Sequence, residues 1–295
     1  MKIERALYLM ARKDLLAAEV LYDNKKYPQA MFYFQQAVEK ANKVLGLLEE
    51  IIKPEDLKEK VGHDPIALYK RSLVMRKAQV DGIILTAKQH PRLKKHHFYR
   101  QVRDHAEDIN KGEKFLQALR ENKDKKLLKI SRDDLYYCLD QMAEVYYADS
   151  MLPENFDIKE AIDYRYKLIE AVNPEAALKE RTELEALLQD PKNKEEYIKG
   201  IQLIVDRVHD MAFITCTLYF CAIVTLPHAI KARYPEPDMS FNPLTFYTRK
   251  LPLVDLQAEF IWYMKKALRM LPAFYYKELQ KETSQTNTAM SQQVS

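Results

Sequence analysis

"YPQAMFYFQQAVEKANKVLG" runs from Tyr27 to Gly46. Its Ala30, Phe34, Ala37, Ala41 and Val44 recur every three or four residues, and Leu45 joins them. That is the apolar stripe of an amphipathic helix. Phe32, Gln36, Glu39 and Lys43 form a second stripe, with Glu39 four residues before Lys43 in the order that favours pairing. The spacing predicts one face in a core and one solvated, salt-bridged face. Pro28 suits the first helical turn, where its missing N–H costs nothing. Gly46 fits a C-cap, and "LLEEII" offers a continuation.

Working outward, the same periodicity recurs along the chain. Residues 4–24 place Leu7, Met10, Leu15, Ala18 and Leu21 on one expected face. Asp64 and Pro65 open a third helix as N-cap and first residue, and His90 before Pro91 closes it near Gln89. A helix follows from about His96, with Gly112 in its middle. Ser131 and Asp134 make a variant capping box for the next. Three more helices start near 157, 173 and 193, the last one long. Residues 228–248 read mainly as loop, and a closing helix carries the only tryptophan, Trp262. The tail from 281 is polar and reads as disordered.

Composition agrees. Only five glycines occur among 295 residues, which argues against hairpin-rich β structure. No P-loop or dinucleotide-binding spacing is present. The expected fold is therefore all-α, an antiparallel helical bundle. The apolar run at 211–227 reads as a buried core helix rather than a membrane span. Three cysteines, Cys138, Cys216 and Cys221, contain no Cys-x-x-Cys pair. They read as reduced thiols, and with no secretory-type leader the expected location is the cytoplasm. No cofactor is expected.

Several residues then fall into a known pattern: Asp14-Leu15, Tyr27, Gln35-Gln36-Ala37, Glu39-Lys40, Lys43 and His63-Asp64. Arg233-Tyr234-Pro235 adds a turn further on. Together they resemble the HEPN domain family (higher eukaryotes and prokaryotes nucleotide-binding), over residues 10–75 and 200–237. The resemblance implies a single domain over 1–280, with the bundle core at 1–75 and 200–237. Residues 76–199 would be a helical insertion and 250–280 a C-terminal helical extension. It also implies a homodimer. Many members are metal-independent ribonucleases of toxin–antitoxin, abortive-infection and antiviral defence systems. Others are non-catalytic nucleotide- or protein-binding modules beside a small nucleotidyltransferase. Antitoxin and nucleotidyltransferase are thus the partner classes implied. The usual signature is Arg, four to six residues, then His. In it the His moves a proton and the Arg holds charge developing on phosphorus.

Two pairs here have that spacing: Arg100 with His105, and Arg92 with His97. Fifteen Arg and seven His give about one such match by chance. Arg100–His105 is the first choice for a catalytic pair, with Arg92–His97 second. Both lie in "KQHPRLKKHHFYRQVRDH", residues 88–105, where six cations face only Asp104. Lys94, Lys95 and Arg103, interleaved with Phe98 and Tyr99, suit phosphates and unstacked bases of RNA or a nucleotide. A solvated basic helix start, or a contact with an acidic partner, explains the same composition. Adjacent His96 and His97 point about 100° apart on a helix and have no Cys beside them, so no metal site is expected. His228 reads as a polar cap or dimer contact.

Overall fold

The computed structural model describes residues 2–57, 65–126 and 128–273. Among the described residues thirteen helices follow in order: α1 (Ile3–Asp23), α2 (Tyr27–Leu48), α3 (Pro65–Gln89), α4 (Pro91–Lys94), α5 (His97–Lys126), α6 (Arg132–Tyr147) and α7 (Ile158–Glu170). After these come α8 (Pro174–Leu187), α9 (Pro191–Thr225), α10 (His228–Lys231), α11 (Pro243–Phe246), α12 (Pro252–Asp255) and α13 (Gln257–Met270). No strand occurs among the described residues. The fold is all-α, as composition and periodicity imply. His63, the Asp64 cap and the tail from 281 lie outside the described residues.

Contacts gather the described residues into two compact units. One draws on those within 1–71, 118–147 and 210–273, the other on those within 72–117 and 148–209. In the first unit, α1 and α2 form a helical hairpin. Their turn is a Schellman motif: Lys26 N–H reaches Leu21 C=O at 2.8 Å, and Lys25 N–H reaches Tyr22 C=O at 2.9 Å. Lys25 holds φ at 61°, a left-handed position that usually takes glycine. The expected stripe of α2 is core throughout: Ala30, Phe34, Ala37, Ala41, Val44 and Leu45 are buried. Fully burying a side chain the size of Phe34 contributes about 1.5–3 kcal/mol. Gly46 lies within α2 rather than at its cap. A Cβ there would stand 2.6 Å from Leu68 Cδ1, so its smallness lets α3 approach closely. On α1 the buried residues are Ala11, Leu15, Ala18 and Tyr22. Met10, expected on that face, is exposed.

The C-terminal part of α9 packs in the same core, with Phe213, Ile214, Leu218, Cys221 and Ala222 fully buried. Among the described residues α9 is the one helix long and apolar enough to cross a membrane, yet half of its apolar window is buried within the protein. That burial is the mark of a core helix. Cys138 and Cys221 are buried and Cys216 is half-buried, all as free thiols. Burial pushes the Cys138 thiol up to about 12 and the Cys216 thiol to about 11, so neither is a ready nucleophile. Tyr146 packs in tilted or edge geometry against Phe213, Trp262 and Tyr263.

His228 is wholly enclosed, with Nδ1 2.8 Å from the Tyr247 hydroxyl. It is neither a surface cap nor a dimer contact. Burial holds it neutral, with its pKa lowered to about 3.

In the second unit Val80, Val102 and Ile109 form a core cluster between α3 and α5, with Leu73, Ile84 and Phe98 packed against it. Leu73 also covers Gly112. Ile158, Ile162, Tyr166 and Ala177 make a second cluster between α7 and α8. Asp157 caps α7 and Asn173 caps α8, each side chain accepting a backbone N–H.

Candidate functional site

The polar residues of α2 come first, because they carry much of the sequence pattern. They are not a solvated face. Gln35, Glu39 and Asn42 are buried. Lys43 Nζ meets Glu39 at 2.8 Å, Gln35 donates to Glu39 at 3.3 Å, and Gln36 donates to Gln35 at 2.7 Å. Lys40 reaches both Gln36 at 3.1 Å and Asp14 of α1 at 2.7 Å. Asn42 donates to the carbonyls of Val38 and, on α9, Leu218, while the Tyr69 hydroxyl donates to Asn42. Sequence spacing found the Glu39–Lys43 pair but not its burial. These side chains tie α1, α2, α3 and α9 together. Arg233, from the Arg-Tyr-Pro turn, lies 5.0 Å above the Phe32 ring and makes a cation–π contact with α2.

The basic segment is built differently. His90 holds φ −120° and ψ 89°, outside the helical region, before Pro91, which ends α3. The single turn of α4 is anchored by buried Leu93, leaving Arg92, Lys94 and Lys95 exposed. His96 then caps α5: its Nδ1 accepts the Phe98 N–H at 3.2 Å. In the neutral ring that leaves the proton on Nε2, a hydrogen-bond donor. The ring sits edge-on to Tyr164 of α7, with centroids 5.4 Å apart.

A groove of about 300 Å³ opens where these elements meet. Arg92, Lys95 and His96 line one side, and Lys167 and Glu170 of α7 with Ala171 at its C-cap line the other. Three permanent cations and a histidine therefore surround one space with one carboxylate. No side-chain hydrogen bond or ion pair joins Arg92, Lys95 or Lys167 to another residue among those described. Lys167 was not legible as a site residue, because it lies far downstream in an ordinary amphipathic helix. His96 was set aside with the metal reading, although its side chain, not that of His97, lines the groove.

The remaining candidates spread over α5. His97, Arg100, Arg103 and His105 are exposed, Tyr99 is half-buried, and Phe98 packs into the Val80–Val102–Ile109 cluster. Arg100 and His105 stand about 140° apart around the helix, and no hydrogen bond or ring contact joins their side chains among the described residues. Nor does any join Arg92 to His97 among the described residues. Asp104, Glu107 and Asp108 are exposed on the same helix, with Lys111 paired to Asp108 at 3.2 Å. The basic excess is thus concentrated at the start of α5 and in α4. Among the described residues no group of three His, Cys, Asp or Glu is placed to hold a metal ion.

No curated protein and no solved structure matches the chain. A family model for the HEPN domain matches residues 5–175, more than half of the 295. Both the α1–α2 hairpin and the basic groove fall within that span. The chain therefore belongs to the HEPN domain family, whose members are nucleotide-binding or RNase-type helical domains.

Proposed function

We propose that this protein binds the phosphates of single-stranded RNA or a nucleotide through the groove between α4 and α7. The observation that carries the reading is the convergence of Arg92, Lys95 and His96 with Lys167, drawn from distant parts of the sequence. Cations gathered without carboxylate partners repel one another, and a bound phosphate relieves that repulsion while releasing its own counterions. Arg92 supplies a planar fork for two phosphate oxygens, Lys95 and Lys167 act as point charges, and His96 offers an N–H. Glu170 on the rim disfavours a second phosphate close by.

The test is binding of fluorescein-labelled single-stranded RNA by anisotropy across a salt series. Lys167→Glu should weaken binding about tenfold or more and reduce the salt slope by about one. Equal binding by wild type and Lys167→Glu removes this site from the reading.

A second reading is cleavage: a metal-independent RNA-cleaving effector of a defence or toxin–antitoxin system, acting as a homodimer. The favouring observation is that Arg100 and His105 are both exposed and joined to no partner among the described residues. Turned away from each other in one chain, they act together only if a second copy brings Arg100 to the first copy's His105. There the His would carry the ribose 2′-OH proton and the Arg would meet the phosphorane charge. Mixed dimers of Arg100→Ala and His105→Ala chains separate the two readings. Cleavage restored in the mixture supports the composite site. No cleavage by wild type, with RNA still bound, leaves the binding reading in place.

A further inference from the structure

Helix α1 is apolar on two faces. Ala11, Leu15, Ala18 and Tyr22 enter the core, while Leu9, Leu16 and Val20 lie on the opposite side at i, i+7 and i+11. Those three are 39%, 61% and 51% exposed, far more than a helix needs to give to solvent. The stripe borders a groove of about 340 Å³ shared with α13, whose Leu268 contributes to the floor. Around it stand Arg12, Lys13, Lys265 and Arg269, against the single carboxylate of Glu19. Lys265 already holds Glu19 at 2.7 and 2.9 Å. Arg12, Lys13 and Arg269 form no ion pair among the described residues.

We infer that this groove is a docking site for an acidic amphipathic helix of a protein partner. The apolar floor accepts one row of leucine-sized side chains, and the three unpaired cations select glutamate or aspartate along the flanks. From Leu9 to Val20 the stripe covers about 16 Å, three helical turns, so an occupant of about 15 residues fits. Pairing of this groove with the same groove of a second copy is disfavoured by charge, since two cationic rims would face each other. A flat bilayer surface does not fill a concave groove between two helices.

The probe is a fluorescein-labelled helical peptide of about 15 residues, with leucines at i, i+4, i+7 and i+11 and glutamates beside them. Its twin carries lysine for each glutamate. Anisotropy with the full chain should show saturable binding of the acidic peptide, with the lysine twin weaker by about tenfold or more. Leu16→Ser should weaken binding by a similar factor, and so should Arg269→Glu. Both positions are exposed, so circular dichroism should remain that of the wild type. Equal affinity for the two peptides, no saturable binding, or indifference to both substitutions overturns the inference. So does self-association by light scattering that Leu16→Ser abolishes, or Leu16-dependent binding to phosphatidylserine vesicles in place of the peptide.

Discussion

Helix α2 and the basic segment at 88–105 use the same kinds of residue to opposite ends. In α2, Gln35, Gln36, Glu39, Lys40, Asn42 and Lys43 find partners within the protein, and Gln35, Glu39 and Asn42 are buried. In the basic segment, Arg92, Lys95, Arg100 and Arg103 remain exposed, with no partner among the described residues. Charge alone does not mark a site. A cation whose hydrogen bonds are satisfied internally contributes to structure, whereas several unsatisfied cations facing one space are available to a ligand.

The largest expected effect lies in the α2 core. Phe34→Ala should cost about 3–5 kcal/mol in urea unfolding, since its site is enclosed and cannot collapse. Arg100→Ala should change stability by less than about 0.5 kcal/mol. A large loss at Arg100 would show the basic segment to be structural after all, and would break the contrast.

Acid should destabilise the unit that contains α2 through His228. Its folded pKa of about 3 lies below the ordinary histidine value, so the group is neutral in both states well above 6.5. As pH falls through 6.5, the unfolded chain takes up a proton that the folded chain refuses. Stability then drops by about 1.4 kcal/mol per unit, or about 2 kcal/mol from pH 7.5 to pH 5, until the folded group itself protonates. This slope should flatten in His228→Phe and persist in His97→Ala and His105→Ala. If the exposed pair set the slope instead, their surface role would be in doubt.

Glu39→Ala should cost about 1–3 kcal/mol by leaving Lys43 and Gln35 without their shared acceptor. The same substitution should leave RNA binding unchanged, while Lys95→Ala does the reverse: stability held, affinity reduced. That crossing pattern, read by unfolding and anisotropy together, sharpens the comparison most directly. The smallest effect concerns the hairpin turn. Lys25→Gly should stabilise by up to about 1 kcal/mol, because glycine accepts the left-handed φ without a Cβ clash.

Local periodicity and capping were legible in the sequence. The six-residue stripe of α2 is buried in full, Pro65 opens α3, and Asp134 N–H meets the Ser131 hydroxyl at 3.0 Å at the start of α6. These depend on neighbours three or four residues apart, and the chain itself supplies them. Long-range pairing was not legible. Periodicity put Met10 inside and left Ala11 and Tyr22 unassigned, because α1 meets α2 and α13 at an angle that its own spacing does not encode. It read Glu39 as solvated, because the burial comes from what packs over α2.

The sequence by itself determined the all-α class, most helix limits, the HEPN resemblance and the concentration of cations at 88–105. Only the tertiary structure decided which of those cations share a space. Lys167 joins Arg92, Lys95 and His96 because α7 packs beside the α4–α5 junction, whereas Arg100 and His105, five residues apart, point to different sides of one helix. Spacing along a chain fixes directions around a helix axis. Convergence of charges from distant segments follows from how the apolar faces of different helices pack, and no single segment's pattern carries that information.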